Sequence, residues 1–368
     1  MNAWFQVDNA DELASPALLL YPDRIAENIR RMIRLAGSAA RLRPHVKTHK
    51  LAEVVQLHLE QGITKFKCAT IAEAEMAAGA SAAEVLIAYP VVGPNIGRLL
   101  ELARRYPATK FLCVADDAGA IHSLASAFAA AGRTLEVCLD VDCGYHRTGV
   151  PPGNGAGELY RLIATSPGLK PGGLHVYDGQ VDEPDLAQRA AVCEAAFEPV
   201  KAFWRGLTGA GLAVPRIVAG GTPTFPLHAR NADFECSPGT CVLWDFGYGE
   251  RYRDLDFLQA AIILTRVISK PCGNRLCLDA GHKAVAAEKP QPRLKFLNLP
   301  EAEAVCHSEE HLVVETARAG EFAVGDRLYG VPRHICPTVA LHSEAVVVEN
   351  GRATGRWKVT ARERRLTI

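Results

Sequence analysis

The chain has 368 residues, enough for two domains, and 48% of them are hydrophobic. Its 41 basic residues balance its 41 acidic ones, so it lacks the basic excess that nucleic-acid or membrane-surface binding usually needs. No apolar run reaches the about 18 residues of a transmembrane helix, and the N-terminus lacks the order of a secretion signal. Eleven cysteines without a Cys-x-x-Cys motif predict reduced thiols and a cytoplasmic protein.

Short apolar runs alternate with longer amphipathic runs from about residue 17 to residue 250. The predicted strands are Ala17–Leu20, Leu42–Thr48, Lys65–Ala69, Glu84–Ile87, Lys110–Val114, Leu135–Val141, Gly172–Val176 and Arg216–Ala219. The predicted helices include Pro22–Gly37, Ala72–Gly79, Ile96–Arg105, Ala118–Ala131 and Leu186–Gly206. This alternation predicts an α/β fold with parallel strands and helical crossovers. The number of units favours a (β/α)₈ barrel (a TIM barrel), and an open doubly wound sheet is the alternative.

The pattern changes after Asp256, where helical periodicity fades. Runs rich in β-branched residues follow, separated by Gly, Pro and Asn; they are Ala260–Ile268, Arg275–Asp279, His311–Val314 and Ala345–Val348. These runs predict an all-β domain. We therefore expect a barrel over residues 20–250 and a C-terminal β-domain over residues 251–368, with residues 1–19 as a candidate addition to the β-domain.

The most informative residue is Lys47, in the run from Arg43 to Lys50. If this run is a strand, His45, Lys47 and His49 point to one side of it. Polar neighbours and partial burial lower the pKa of an amine toward neutrality, and such an amine can form a Schiff base with a carbonyl. The alternative interpretation is an ordinary polar strand edge.

Two turns have the composition of an anion-binding site. Gly220-Gly221-Thr222 follows an apolar strand, and a second turn contains Gly239-Thr240. Glycines let backbone N–H groups converge on an anion, and a neighbouring hydroxyl adds a donor. In a barrel, the loops after late strands often hold a phosphate. A plain Gly-Pro turn is the alternative.

Two further motifs carry chemically active side chains. Arg147 follows an apolar strand, where an arginine usually has an anionic partner; a surface loop is the alternative. If residues 334–336 lie on a strand, His334 and Cys336 share a face and offer an imidazole and a thiolate to a divalent ion. A thiolate favours zinc over magnesium, whereas an incidental pair is the more common case.

Taken in order, these motifs resemble the fold-type III pyridoxal phosphate enzymes, specifically the D-threonine aldolase and D-serine dehydratase family, distant relatives of alanine racemase. The resemblance extends over nearly the whole chain. It is carried by Arg43–Lys50, Val91–Pro94, Arg147-x-Gly149, Gly220–Thr222, Asp279–Lys283, Glu310-His311 and His334–Thr338. The chain departs from the family pattern at Lys65, Lys67 and Pro223, and Pro223 removes one N–H donor from the phosphate loop.

The resemblance implies a role for each matching residue. Lys47 would bind pyridoxal 5′-phosphate as a Schiff base, Arg147 would lie near the phenolic oxygen, and Tyr177 would lie near the pyridine nitrogen. The other implied cofactor-binding residues are His45, Gly220, Gly221, Thr222, Gly239 and Thr240. His334 and Cys336 would bind a divalent metal, zinc or manganese, beside the cofactor.

The resemblance also implies a homodimeric lyase that acts on small D-configured β-hydroxy-α-amino acids. Loss of the α-proton, taken by Lys47, leads to dehydration and deamination, as for D-serine or D-3-hydroxyaspartate. Loss of the hydroxyl proton instead leads to cleavage into glycine and an aldehyde, as for D-threonine aldolase. Dehydratase-type members resemble His-x-Cys at the metal site and aldolase-type members His-x-Asp, so Cys336 favours dehydration.

Three alternative functions stay open from the sequence. The first is an amino-acid racemase that uses the same cofactor without a metal. The second is a non-catalytic carrier of pyridoxal phosphate, although such carriers lack a C-terminal β-domain. The third is a sugar-phosphate aldolase in which Lys47 acts without a cofactor and Gly220–Thr222 hold the substrate phosphate.

Overall fold

The structure is a computed structural model that describes residues 3–368, and it divides into two compact units. The strand-rich unit holds the chain up to Ile29, Thr48–Leu51 and Thr240–Arg362. The α/β unit holds Arg30–Lys47, Ala52–Gly239 and Glu363–Ile368. The domain ranges expected from the sequence, 20–250 and 251–368, stay a prediction.

The α/β unit is built on a parallel sheet whose strands pair in chain order, from β2 to β8. These strands are β2 Lys65–Cys68, β3 Glu84–Ile87, β4 Lys110–Ala115, β5 Leu135–Val141, β6 Leu169–Val176, β7 Ile217–Ala219 and β8 Phe234–Cys236. Its helices are α2 Ala52–Glu60, α3 Ile71–Gly79, α4 Pro94–Arg105, α5 Ala118–Ala130, α6 Asn154–Thr165, α7 Leu186–Gly209 and α8 Phe225–His228. Helix α1, Pro22–Ala36, begins in the strand-rich unit and ends in the α/β unit. The expected parallel strands with helical crossovers are confirmed.

An irregular segment closes the seven-stranded parallel sheet into a ring. It lies where a barrel would have its eighth strand. Leu42 bridges Cys236 of β8, and His45 bridges Lys67 of β2. The N–H of His45 donates to the Pro238 carbonyl at 2.9 Å, and residues Val46–Thr48 then form a 3₁₀ helix. The prediction of a strand over Leu42–Thr48 is therefore wrong, because Pro44 has no N–H for a ladder and the chain turns soon after it.

Ion pairs join the amino ends of several strands into one network at the floor of the ring. Its acidic members are Glu84, Glu136 and Glu235, and its basic members are Arg43, Lys65, Lys110 and Arg216. Arg43 is fully buried; it contacts Glu84 and donates to Glu235 at 2.8 Å. Lys65 also reaches Glu235, at 2.5 Å. A lysine in a barrel strand is therefore explained by its partner.

An apolar layer lies two residues further along the same strands. Leu86, Leu112 and Cys138 each follow a network residue by two positions, so they share its face of the sheet. They pack with Val114 and Val218, and all five side chains are buried. Such strands read as nearly continuous hydrophobic runs because both faces of a parallel sheet are covered.

The strand-rich unit contains one mixed sheet, ordered β12-β13-β10-β9-β1-β15-β16, in which β14 pairs with both β9 and β11. Its strands are β1 Ala17–Leu20, β9 Ala261–Cys272, β10 Arg275–Leu278, β11 Leu294–Phe296, β12 Glu303–His307, β13 Leu312–Glu315, β14 Arg327–Pro332, β15 Glu344–Glu349 and β16 Arg352–Lys358. Two short helices accompany them, α9 Phe246–Arg251 and α10 Ile335–Leu341. Strand β1 is thus a strand as expected, but it pairs with β9 and β15 and not with the parallel sheet.

The sequence predicted no transmembrane helix and reduced cysteines. Over residues 3–368, the helices are too short or too polar to cross a membrane. The cysteines in the described part of the chain form no disulfide.

The floor network generates a stability prediction. We expect Arg43→Ala to lower the free energy of unfolding by about 3 kcal/mol or more, because it removes a fully buried guanidinium that pairs with both Glu84 and Glu235. The matched control is Arg104→Ala, which removes an exposed pair with Glu101 at 3.0 Å and costs less than about 0.5 kcal/mol. Urea unfolding of the three proteins measures both changes, and equal losses for the two variants would contradict the prediction.

Candidate functional site

Lys47 lies in the 3₁₀ helix Val46–Thr48, and its side chain is exposed. His45 and His49 are buried, so the three residues do not share one strand face and that expectation is wrong. The Lys47 N–H instead donates to Nδ1 of His45 at 3.3 Å. Because His45 is hydrogen-bonded to Pro238, Lys47 emerges beside the second glycine turn of the α/β unit.

The first glycine turn follows β7 and makes contacts that a larger residue would prevent. Gly220 has a φ of +68°, and an added Cβ would lie 2.4 Å from His228 Cδ2. At Gly221 an added Cβ would lie 3.0 Å from the ring of Tyr177. Glycine is therefore required where this loop passes Tyr177 and His228.

The two turns are hydrogen-bonded to each other within the α/β unit. The Gly239 N–H donates to Thr222 Oγ1 at 3.1 Å. Ser237 donates its hydroxyl to the Gly220 carbonyl at 2.8 Å and its N–H to the Ala219 carbonyl at 3.2 Å. We call Gly220–Thr222 with Ser237–Gly239 the glycine cradle. Of the predicted phosphate-binding residues, the structure thus brings Gly220, Gly221, Thr222 and Gly239 together.

The glycine cradle rests on a buried polar group. Asp178 accepts from the Thr224 hydroxyl at 2.9 Å and is hydrogen-bonded to His228 Nε2 at 2.6 Å. Thr224 in turn accepts from the Gly221 N–H at 3.3 Å. Because both carboxylate oxygens of Asp178 are engaged, the group holds the loop in a defined shape.

Asp178 and His228 also form, with Cys193, a group of three possible metal ligands within residues 3–368. Their ligand atoms lie within 4.8 Å of one another. Burial raises the pKa of the Cys193 thiol, so the sulfur is protonated, and the Asp178–His228 hydrogen bond occupies the atoms that would face an ion. We interpret this group as support for the glycine cradle.

Tyr177 and Arg147 meet at the carboxyl ends of the strands. The Arg147 guanidinium lies 5.0 Å from the centre of the Tyr177 ring and 4.8 Å from that of Tyr145. Both distances suit a cation–π interaction. Arg147 is exposed and Tyr177 is half-buried.

Asp140 and His175 form a buried pair that the sequence analysis did not identify. His175 Nδ1 lies 2.7 Å from Asp140 Oδ1. Burial alone would raise the pKa of Asp140, but His175 and Thr148 outweigh it and the pKa falls. Burial lowers the pKa of His175, so a neutral imidazole donates from Nδ1 to an ionised carboxylate. His175 Nε2 is then a buried acceptor with no hydrogen-bond partner among residues 3–368.

Lys67 is the second lysine of this region. It is 3% exposed, and its Nζ donates to Ser237 of the glycine cradle at 2.5 Å. Burial, with a smaller contribution from Lys47, lowers its pKa to about 7. The sequence marked Lys67 as a departure from the family pattern but gave it no partner.

In the strand-rich unit, His334 and Cys336 are not on a strand, contrary to the sequence analysis. His334 is the residue before helix α10, and Cys336 is the second residue of that helix. Their side chains nevertheless form a hydrogen bond. Burial would raise the pKa of the Cys336 thiol, but the bond with His334 outweighs it and the pKa falls. Burial acts against the imidazolium, yet Cys336 and Glu288 raise the pKa of His334 to about 9.

Four residues that the sequence analysis did not select support this pair. Glu288 is hydrogen-bonded to His334 Nδ1, and Asp245 accepts from the Ile335 N–H at 3.0 Å. The hydroxyls of Thr48 and Thr240 lie 3.3 Å and 3.5 Å from Cys336 Sγ. Thr48 directly follows Lys47 and Thr240 directly follows Gly239. Because Lys47 and Gly239 were selected from the sequence, their neighbours could have been identified as candidates too. Thr240 was expected to bind phosphate, and its contact with Cys336 leaves that role a prediction.

The residues present fit pyridoxal phosphate and a divalent ion. An exposed amine at Lys47 suits an aldehyde, and the glycine cradle, whose backbone a ligand can approach closely, suits a phosphate. His175 Nε2 is a buried acceptor that still needs a donor. A thiolate beside an imidazole is a donor set typical of zinc.

Two family models match the chain. Residues 21–244 match "Alanine racemase, N-terminal domain", and residues 260–348 match "Putative serine dehydratase domain". The first match alone covers more than half of the chain.

Several curated proteins are similar over nearly their whole length. A 3-hydroxy-D-aspartate aldolase of Paracoccus denitrificans (strain Pd 1222) is 31% identical, and a D-threonine aldolase of Arthrobacter sp is 30% identical. Each alignment covers 95% of this chain and 92% of the relative. A D-threo-3-hydroxyaspartate dehydratase of Delftia sp. is 27% identical, over 89% of this chain and 92% of the relative.

Solved structures agree with these matches. A D-threonine aldolase from Filomicrobium marinum superposes with a TM-score of 0.89 at 28% identity, over 98% of this chain and 99% of that one. An alanine racemase of Clostridium difficile 630 shares the fold, with a TM-score of 0.75 at 11% identity over 94% of this chain and 99% of that one. The expected alanine racemase-like fold is therefore confirmed, and the chain belongs to the fold-type III pyridoxal phosphate enzymes, in the family of D-threonine aldolase and D-serine dehydratase.

Proposed function

We propose that this protein is a lyase that uses pyridoxal phosphate and a divalent metal on small D-β-hydroxy-α-amino acids. One observation carries the proposal. Within the α/β unit, the segment bearing Lys47 is hydrogen-bonded through His45 to the turn of the glycine cradle, which supports an amine and an anion site close together. That pairing is what a phosphorylated aldehyde requires.

Each cofactor-binding residue then has one task. Lys47 would hold the aldehyde carbon, and the glycine cradle would hold the phosphate. Tyr177 and Arg147 would contact the cofactor ring, and His175 Nε2 would accept a hydrogen bond from the bound molecule. When bound, pyridoxal phosphate supplies an electron sink for the substrate α-carbon, and a divalent ion supplies a Lewis acid for the substrate hydroxyl. Lys47, once free of the aldehyde, takes the α-proton as general base.

His334 and Cys336 are the residues that we propose for the metal. The low pKa of Cys336 supports the proposal because a thiolate binds a divalent ion and a thiol does not. Glu288, hydrogen-bonded to Nδ1 of His334, would fix the orientation of the imidazole, as carboxylates do for metal-binding histidines. Zinc is the favoured ion and manganese the alternative.

Dehydration followed by deamination is the reaction that we propose, because His-x-Cys resembles the dehydratase pattern. Cleavage to glycine and an aldehyde is the second candidate, and it is favoured by a specific observation. The two relatives at 30% and 31% identity are named aldolases, whereas the dehydratase is 27% identical. We further propose a cytoplasmic homodimer; buried thiols without disulfides in the described residues fit a reducing compartment.

The first prediction concerns the attachment of the cofactor. After borohydride reduction, peptide mapping should find the cofactor on Lys47 in the wild-type protein and in Lys67→Met. We expect Lys47→Ala to lose the attachment and to lose activity about a thousandfold or more, since it removes both the carbonyl partner and the general base. Cofactor that maps to Lys67 in the wild-type protein would refute the assignment of Lys47.

The second prediction concerns the thiolate at Cys336. Its pKa is lowered, so iodoacetamide should label it at pH values where an ordinary thiol, with a pKa of about 8.5, is protonated. His334→Ala should shift this labelling to higher pH, because the imidazolium that stabilises the thiolate is gone.

Zinc should protect Cys336 from this labelling in the wild-type protein but not in His334→Ala. Mass spectrometry of the alkylated peptides measures both effects, and the exposed Cys272 is the internal control. Labelling of Cys336 that does not respond to zinc would remove the pair from the metal site.

The third prediction concerns the reaction. With zinc or manganese present, D-serine, D-threonine and D-3-hydroxyaspartate should yield ammonia and 2-oxo acids, and their L-enantiomers should not react. Chelator treatment, His334→Ala and Cys336→Ala should each abolish turnover, whereas Cys272→Ala should not. Glycine and an aldehyde as products would establish the second candidate, and racemised substrate with no products would establish the racemase alternative.

A further inference from the structure

Lys67 occupies a position in the α/β unit where a charge is costly. It lies on β2 opposite Leu86 of β3, in the apolar layer above the floor network. Unlike Lys65, which pairs with Glu235, it makes no ion pair with a carboxylate among residues 3–368. A buried amine without a counter-ion is destabilising unless another group compensates it.

The charges that face Lys67 do not supply that compensation. The facing groups are the ring of Tyr177, whose centre lies 5.7 Å from Nζ, His45 on the ring-closing segment, the cations Lys47 and Arg147, the ionised Asp140 with its partner His175, and Asp178. Burial and then Lys47 lower its pKa to about 7, while Asp178 and Asp140 offset only part of this. The neutral and the protonated amine are therefore both accessible near neutral pH.

Two backbone donors of the glycine cradle, in contrast, are already engaged. The Gly221 N–H is directed to Thr224 and the Gly239 N–H to Thr222, and Pro223 has no N–H. A phosphate dianion held there needs more positive charge than these groups supply. Lys67 reaches the cradle directly, because its Nζ donates to Ser237, whose hydroxyl donates to the Gly220 carbonyl.

We propose that Lys67 is a positioning residue that balances the charge of the cofactor phosphate and holds the glycine cradle in shape through Ser237. Two of the three departures from the family pattern, Lys67 and Pro223, then compensate each other. This inference rests on the proposed function, because it assigns Lys67 to the same cofactor site. Its consequence is selectivity for the phosphorylated form of the ligand.

The attraction between the Lys67 amine and the phosphate makes the preference for the phosphorylated ligand depend on pH. A bound dianion favours the protonated amine, so phosphate binding raises the pKa of Lys67 from about 7. By linkage, the preference for the phosphorylated ligand is greatest near neutral pH and falls as the pH rises from 7 to 9. Without the amine, the preference should be lower and should not change over this range.

The experiment compares the apparent Kd of the apoprotein for pyridoxal phosphate and for pyridoxal. Both ligands carry the same aldehyde, so their ratio isolates the phosphate from the attachment to Lys47. We expect Lys67→Met to lower the preference for pyridoxal phosphate by about tenfold or more, the factor that corresponds to one pKa unit of coupling. Lys65→Met, the control on the same strand, should keep the wild-type ratio and its pH dependence.

Ser237→Ala is the second variant, and it should lower the preference while Lys67 is intact. Circular dichroism verifies that each variant folds. If Lys67→Met does not fold, the inference is tested by the Kd ratio of Ser237→Ala and by the pH dependence of the wild-type ratio. A wild-type ratio in Lys67→Met, equal losses for both ligands, or a pH-independent wild-type ratio would each overturn the inference and leave the proposed function standing. A wild-type protein that attaches neither ligand to Lys47 would overturn the proposed function itself.

Discussion

The hydrogen bonds of the segment Leu42–His45 are the constraint on which the α/β unit depends. Arg43 donates its N–H to the Cys236 carbonyl and His45 to that of Pro238, while Lys67 donates to the Pro44 carbonyl, all at 2.9 Å. A proline is compatible with this pattern. Arg43 and His45 on either side of it donate their N–H groups, whereas Pro44 only has to accept through its carbonyl. The segment closes the ring without a full strand. Its hydrogen bonds to the neighbouring strands end at His45, so the next-but-one residue, Lys47, is exposed, as an accessible amine must be.

Buried charge in the α/β unit is arranged in layers. At the floor, each buried group has a partner of opposite sign, as Arg43 does with Glu84 and Glu235. Above it an apolar layer excludes water. Lys67 is the exception in that layer, and the pair Asp140–His175 lies one step further along β5 and β6. Since unpaired buried charges are costly, such an exception is expected where a ligand completes the balance.

The local sequence predicted the bounds of those strands whose position depends only on the pattern of apolar side chains. Strands β3 and β5, Glu84–Ile87 and Leu135–Val141, have the bounds expected from their apolar runs. The strand Ala17–Leu20 was also recognised, but its partners β9 and β15 are more than 240 residues away in sequence, and periodicity carries no information about partners. The strand expected over Leu42–Thr48 failed although Pro44, a strand breaker, was visible in the sequence.

The sequence by itself determined the chemistry that is available: a lysine after Arg-Pro-His, two glycine turns, and a histidine and a cysteine two positions apart. Only the tertiary structure decided how these groups act. His334 and Cys336 meet at a helix start because Asp245, 90 positions earlier, accepts from the Ile335 N–H. Likewise Lys67 is buried beside Ser237, 170 positions later, and burial lowers its pKa. Residue type fixes which protons and electron pairs a side chain has, whereas burial and distant neighbours fix their energies, and those arise only when the chain has folded.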